Sequence, residues 1–198
     1  KLTSEKESQY DLPLWFQGHI LNASFDFKAN VDQLNTMGIG HGYQHLWKEA
    51  MAVSEDENIH IKWISDNQIF TQSAFTNLGD ELIFTRLGAN DPNYNLRNDQ
   101  SFIVRKNGAK DAIFVSVLES HGTYSPVNEI PVNPFGNVKY VKPVFDSDLY
   151  TAVEMMTQTG SKWILIISNK NAEKNINHKI SLDDKDYVWT GPYHFQKK

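Results

Sequence analysis

Residues 59–75 read IHIKWISDNQIFTQSAF, and this stretch decides the fold class. Apolar and polar residues alternate through Ile59–Ser65, which is the pattern of a half-buried strand. Asp66, Asn67 and Gln68 then form a turn signal, and a second strand-like run covers Ile69–Phe75. The stretch therefore predicts an antiparallel β-hairpin.

Similar segments follow on both sides, separated by clusters of Gly, Asn, Asp and Ser. Leu12–Phe27 alternates imperfectly, and Tyr43–Val53 is assigned as a strand although it could also form a short helix. The remaining predicted strands are Leu82–Leu87, Gln100–Lys106, Ala112–Leu118, Val138–Phe145, Tyr150–Met156, Trp163–Ser168, Lys179–Leu182 and Tyr187–Thr190. The dipeptide Asn107-Gly108 predicts a hairpin between the second and third of these. Short strands with turns between them predict an all-β protein, an antiparallel β-sandwich.

Composition narrows the range of functions. The chain has 198 residues, a length that fits one large all-β domain over residues 1–198. It has no cysteine, which excludes a disulfide framework, a thiolate zinc site and a cysteine nucleophile. The net charge is −5 with no basic block, so a nucleic-acid partner is not expected. No apolar run approaches the roughly 20 residues of a membrane span.

The stretch from Leu87 to Glu129 carries the candidate binding groups. Its loops present polar side chains beside predicted strands, which is how a β scaffold commonly carries function. Arg97 offers a forked donor that suits a carboxylate. His121 and Tyr124 are potential acid–base groups, and Glu129 completes the set. On spacing alone, a polar cluster that only ties two loops together is the favoured interpretation.

Other chemistries find little support in the sequence. His41 and His45 would point to one face of a strand about 13 Å apart, and no third metal ligand accompanies them. No serine lies in a GxSxG motif, and no glycine-rich phosphate loop is present. Trp63 and Trp163 lie in strand-like runs and are predicted to be core residues, whereas Trp15 and Trp47 could be either core or surface.

Several longer blocks resemble a known family. They are YDLPLWFQGHI (10–20), GYQHLWKEA (42–50), LGANDPNYNLRNDQSFIVRK (87–106), FVSVLESHGTYSPVNE (114–129) and VWTGPYHF (188–195). Together they resemble the C-terminal region of oligoalginate lyases, which are heparinase II/III-like polysaccharide lyases. The resemblance runs across nearly the whole chain.

The resemblance implies an architecture and a reaction. Such lyases carry an α/α toroid followed by a β-sandwich, and they cleave alginate exolytically by β-elimination. Toroid residues neutralise the uronate carboxylate, tyrosines act as base and acid, and zinc supports the site. The blocks that would hold the catalytic residues and the zinc ligands are expected upstream of Lys1. No catalytic residue and no metal ligand is therefore expected in this chain, which would be incomplete on its N-terminal side.

The expected role follows from that placement. The chain would be the C-terminal β-sandwich of the lyase, supporting the toroid and lining its cleft. Substrate contact is assigned to Glu129, His121, Tyr124 and Arg97. The implied partners are the toroid of the same protein, alginate oligosaccharide and a second copy in a homodimer, and the implied location is periplasmic or secreted. The alternative is a non-catalytic carbohydrate-binding domain or a purely structural one.

Overall fold

The computed structural model describes residues 28–29, 43–87 and 99–198. The predicted strand at Leu12–Phe27 lies outside these residues. The strands are β1 (Lys28–Ala29), β2 (Leu46–Val53), β3 (Asn58–Ser65), β4 (Gln68–Phe75), β5 (Glu81–Leu87), β6 (Asp99–Arg105), β7 (Ser116–Ser125), β8 (Ile130–Val132), β9 (Val138–Asp146), β10 (Tyr150–Thr157), β11 (Lys162–Ser168), β12 (Asn177–Leu182), β13 (Lys185–Thr190) and β14 (Tyr193–Lys197). Every pairing between them is antiparallel, which confirms the all-β, sandwich-type prediction.

The hairpin that decides the fold class forms as predicted. β3 and β4 pair from Asn58 with Phe75 to Ser65 with Gln68. The turn residues Asp66 and Asn67 have φ values of 48° and 65°. Two consecutive positive φ angles match the right-handed twist of the flanking strands, and Asn and Asp tolerate that conformation.

Two four-stranded sheets form the first part of the sandwich. One has the strand order β1-β2-β5-β6 and the other β3-β4-β7-β8. Their facing sides meet in a core cluster that takes residues from both sheets: Ala50, Ala52, Ile59, Ile61, Ala74, Leu82 and Phe84, with Trp63, Phe102 and Val104 packed against it. Burying this apolar surface is the main force that holds the two sheets together.

The third sheet has the order β14-β11-β10-β9, and the β12–β13 hairpin lies across it. Their shared cluster contains Ala152, Ile164, Ile166, Ile180, Tyr187 and Trp189. The turn of the hairpin repeats the chemistry of the first one, since Asp183 and Asp184 have φ values of 50° and 60°. Strand β9 connects the two parts, because the Val141 amide donates to Asn58 Oδ1 on β3 at 2.9 Å.

Several sequence predictions need correction. The hairpin expected at Asn107-Gly108 is wrong, because β6 pairs with β5 whereas β7 pairs with β4 and β8. Residues 112–115 are not in a strand, and Tyr43–His45 is a turn of 3-10 helix before β2. Strands β1, β8 and β14 had no sequence prediction. Local turn chemistry marks where a chain bends, but the partner of each strand depends on which faces become buried.

In the part of the chain that the structure describes, no helix has both the length and the apolarity needed to traverse a bilayer.

Candidate functional site

His121, a predicted substrate contact, is held by two hydrogen bonds and is partly buried. Ile69 pairs with Gly122 and Phe70 with Ser120, so His121 is the extra residue of a β-bulge in β7. Its Nε2 lies 2.8 Å from Thr71 Oγ1, and its Nδ1 lies 2.8 Å from the Asn133 carbonyl. Both ring nitrogens are therefore occupied, and the ring ties β4 to the segment after β8.

The other predicted contacts are only partly brought together with His121. Tyr124 is half-buried on the same strand, and its amide donates to the Asn67 carbonyl at 2.7 Å. Glu129 is exposed in the turn between β7 and β8, with a φ of 54°. Arg97 lies outside the described residues. The structure thus places three of the four residues on one hairpin, without a hydrogen bond between their side chains.

The segment 133–137, here called the strap, crosses the sheet beside this hairpin. Glu119 of β7 fixes its far end, because the amides of Asn137 and Val138 donate to Glu119 Oε1 at 2.7 Å and Oε2 at 3.0 Å. Gly136 sits so close to Glu119 that an added Cβ would lie 2.7 Å from Oε2. His121 fixes the near end. His121 and Glu119, which both belong to the predicted region Leu87–Glu129, therefore position the strap.

A second group of ionisable side chains was missed by the sequence reasoning. Glu154 of β10 is only 6% exposed. Its Oε1 accepts from the Tyr140 hydroxyl at 2.6 Å, and its Oε2 accepts from Lys198 Nζ at 2.8 Å. Lys162 Nζ lies 3.9 Å from Oε1. Glu154, Lys162 and Lys198, together with Lys142, line a cavity of about 600 Å³.

The pKa directions in this group follow from the contacts. Burial and the Glu154 carboxylate raise the pKa of Tyr140 to about 12. Burial acts to raise the pKa of Glu154, but the bonds from Lys198 and Tyr140 and the charge of Lys162 outweigh it and lower that pKa. The bond to Glu154 raises the pKa of Lys198. At neutral pH the group therefore holds a buried carboxylate, a neutral phenol and the ammonium ion of Lys198.

One sequence signal could have revealed this group. Glu154 is the single charged residue in the run YTAVEMM of residues 150–156, which is otherwise apolar or uncharged. A charge in a strand that is buried on both faces must be paired, so it marks a special site. Its partners come from β9, β11 and the residue after β14, which no local pattern connects.

A metal site is not found among the residues described. No group of three or more His or acidic side chains there is arranged to hold an ion. The side chains present therefore do not fit the zinc that the resemblance implies for the whole enzyme, and no step of a mechanism is routed through a metal here.

A further polar cavity of about 410 Å³ lies between β3–β4 and β9. His60 lines it beside Lys139, with Nδ1 at 2.8 Å from Ser73 Oγ. Burial lowers the pKa of His60, against the raising effects of Lys139, Glu119 and Asp56. His60 is thereby a neutral polar group between the first part of the sandwich and the third sheet.

Two known proteins are similar to this chain over almost its whole length. No family model matches it. An exo-oligoalginate lyase from Saccharophagus degradans is 35% identical over 193 residues, covering 96% of this chain and 26% of that protein. An alginate lyase from Stenotrophomonas maltophilia is 30% identical over 189 residues, covering 96% of this chain and 25% of that protein. The chain spans about a quarter of the length of these curated relatives.

The fold by itself defines an antiparallel β-sandwich protein, a class that serves many functions. The relatives make the assignment more specific. Over 96% of its length the chain is homologous to alginate lyases, which confirms the resemblance to oligoalginate lyases seen in the sequence.

Proposed function

We propose that the chain is the C-terminal β-sandwich of an exolytic oligoalginate lyase, which cleaves uronate-containing polysaccharide by β-elimination. The observation that carries the proposal is the homology over 96% of the chain to two proteins named as alginate lyases. In this role the sandwich supports an α/α toroid of the heparinase II/III type and lines the cleft beside it.

In the proposal, the catalytic groups belong to a part of the enzyme that this chain does not contain. β-Elimination needs neutralisation of the uronate carboxylate, a base for the C5 proton and an acid for the leaving oxygen. Among the described residues, His121 has both ring nitrogens engaged and the pKa of Tyr140 is raised to about 12, so neither is set up as a base. Zinc likewise belongs to the upstream part.

The sandwich's proposed contacts to substrate come from the β7–β8 hairpin. Glu129 is exposed at its turn, and Tyr124 is close to it in sequence on β7. Arg97 is proposed as a partner for a uronate carboxylate. His121 contributes by position, because it fixes the strap beside the hairpin. A homodimer and a periplasmic or secreted location complete the proposal.

The test compares two samples on oligoalginate. The 198-residue chain alone is expected to give no rise in the ultraviolet absorbance of unsaturated uronate. A longer protein that includes a toroid is expected to give a steady rise. Robust activity of the isolated chain would contradict the proposal that the catalytic groups lie outside it. Absence of activity in the longer protein would contradict the proposal that alginate is the substrate.

A second candidate function is a carbohydrate-binding sandwich without a catalytic partner, and the amphipathic cavity at Glu154 favours it. Calorimetric binding of oligomannuronate by a protein that has no lyase activity in any longer form would support this candidate.

Two substitutions in the longer enzyme, Glu129→Ala and Arg97→Ala, distinguish a purely structural role of the sandwich from substrate contact. If both leave kcat and KM unchanged, the hairpin makes no substrate contact.

A further inference from the structure

The cavity at Glu154 contains a buried carboxylate that the proposed role of the β7–β8 hairpin does not use. Both oxygens of Glu154 are bonded, to Tyr140 and to Lys198. A buried ion pair of this kind rarely stabilises a fold more than well-packed apolar side chains would. A buried carboxylate that lines a cavity beside several ammonium groups is therefore a candidate for function.

Two cations at the cavity remain available to a ligand. Lys142 makes no ion pair within 4 Å among the described residues, and its Nζ lies 5.3 Å from the centroid of the Tyr140 ring. Lys162 is 48% exposed at its side chain, and its nearest acidic atom is Glu154 Oε1 at 3.9 Å, which already accepts from Tyr140. Both ammonium groups therefore keep donors that can bind an anion.

Strand pairing holds these cations around Glu154. Lys142 on β9 is the direct cross-strand partner of Glu154 on β10. Lys162 begins β11, where it pairs with Met156, two residues beyond Glu154 on β10. Because rigid strands present the side chains, the cations are pre-organised instead of being gathered by a loop.

The cavity lining also includes three apolar side chains, Phe75, Pro143 and Val144, and two further carboxylates, Glu57 and Asp183. A cavity with apolar lining and a few convergent polar groups is the usual form of a small-ligand site. A sugar ring matches this division, since its C–H faces are apolar and its hydroxyls are polar. A uronate adds the carboxylate that ammonium groups bind.

We infer that the cavity between β9, β10 and β11 is a binding site for a uronate residue, with its carboxylate at Lys142 and Lys162 and a hydroxyl donating to Glu154. A carboxylate has about four acceptor positions, so Glu154 can accept a further bond beside those from Tyr140 and Lys198. The site lies on the third sheet, whereas the predicted contacts lie on the β7–β8 hairpin. The identity of the sugar rests on the proposed function. The argument that the cavity binds an anion does not depend on it.

The experiment measures binding of oligomannuronate and oligoguluronate to the 198-residue chain by calorimetry. Lys142→Gln and Lys162→Gln remove one charge each and keep most of the side-chain length, so the fold is preserved. Each is expected to weaken binding roughly tenfold, with the double variant weaker still. Lys170→Gln is the matched control, because Lys170 is 57% exposed, pairs with Asp148 and lies outside the cavity, and its affinity should equal that of the unaltered chain.

Further ligands test the chemistry. A neutral oligosaccharide of equal length should bind at least tenfold more weakly, and added salt should weaken uronate binding. Free glucuronate tests whether a single uronate ring is enough for binding. Inorganic phosphate tests whether any anion binds at the cavity. Equal loss in the Lys170 control, equal binding of the neutral sugar, or phosphate binding as tightly as the uronates would each overturn the inference.

Failure of this inference differs from failure of the proposed function. If the longer enzyme cleaves alginate but the cavity variants bind like the unaltered chain, only the cavity assignment is wrong. If the longer enzyme is inactive on alginate while other polyuronates bind at the cavity, the site stands and the alginate lyase assignment falls.

Discussion

Gly122 shows how one residue can control the predicted hairpin. It follows the bulge residue His121 in β7, where the backbone of Val132 and Asn133 passes close by. A Cβ at Gly122 would meet the Asn133 carbonyl oxygen and would lie 2.5 Å from the Val132 oxygen. Both contacts are to backbone, which cannot move aside as a flexible side chain could. Glycine is therefore needed at this position for space, and its conformational freedom is not the reason.

We expect Gly122→Ala to reduce the free energy of unfolding by about 2–3 kcal/mol, because it overpacks a backbone crossing. Gly108→Ala is the control. Gly108 has a φ of 67° with no atom within 4 Å of an added Cβ, so only about 1 kcal/mol of backbone strain is expected. Urea denaturation measures both, and equal losses would show that the crossing is not tight.

Asp80 is the other residue with a large expected effect. Its Oδ2 accepts from Lys106 Nζ at 2.6 Å and from the Asn77 amide at 2.7 Å. The side chains of Asp80 and Lys106 are 8% and 5% exposed, and the ammonium lies over the rings of Phe75 and Phe114. The pair closes the end of the first part of the sandwich.

Asp80→Asn should destabilise the protein by roughly 3–5 kcal/mol, because it leaves the Lys106 charge buried without a counter-charge. Asp148→Asn breaks the exposed pair with Lys170 and should change stability by less than about 0.5 kcal/mol. Thermal unfolding of the two variants is the measurement. A loss at Asp80 no greater than that at Asp148 would mean that water reaches the Lys106 ammonium.

At the scale of elements, the strap depends on two side chains of β7. His121 and Glu119 are two residues apart, and each bonds to the strap backbone. Phe135 in the middle of the strap is 69% exposed, and its ring centroid lies 4.6 Å from the ammonium of the buried Lys62. The strap is thus held by polar contacts at its ends more than by apolar burial, which makes it a candidate for local opening.

Glu119→Ala should therefore speed amide hydrogen exchange at Asn137 and Val138 by roughly tenfold or more, because charge-assisted bonds to both amides are lost. Exchange in β10 and β11 should stay unchanged. Glu55→Ala, at an exposed position with no side-chain bond in the described structure, is the control. Uniformly faster exchange over the whole protein would instead indicate global destabilisation.

At the scale of the whole molecule, two apolar clusters are joined across β9. His60 is one of the polar groups at this junction, since its ring bonds to Ser73 within its own sheet and lines a cavity together with Lys139 on β9. Burial lowers the pKa of His60, so the folded chain binds this proton less readily than the unfolded chain does. The stability that His60 supports is complete above its ordinary pKa of about 6.5 and is lost as the pH falls toward its folded pKa.

We expect the unfolding free energy of the unaltered chain to fall more steeply than that of His60→Gln between pH 7 and pH 5. The difference between the two curves isolates His60, because all other titrating groups are shared. Urea denaturation at several pH values gives both curves. Parallel curves would show that His60 keeps an ordinary pKa in the folded protein.

The sequence by itself determined most of the strands, the turn at Asp66-Asn67 and the homology to alginate lyases, because alternation, turn residues and long sequence blocks are local properties of the chain. Only the tertiary structure decided that β6 and β7 part at Asn107-Gly108 into different sheets. It also decided that His121 and Glu119 hold a strap, that Tyr140 donates to Glu154, and that three lysines lie with Glu154 around one cavity. These depend on which faces bury together, and that is a balance over many distant residues that no short pattern records.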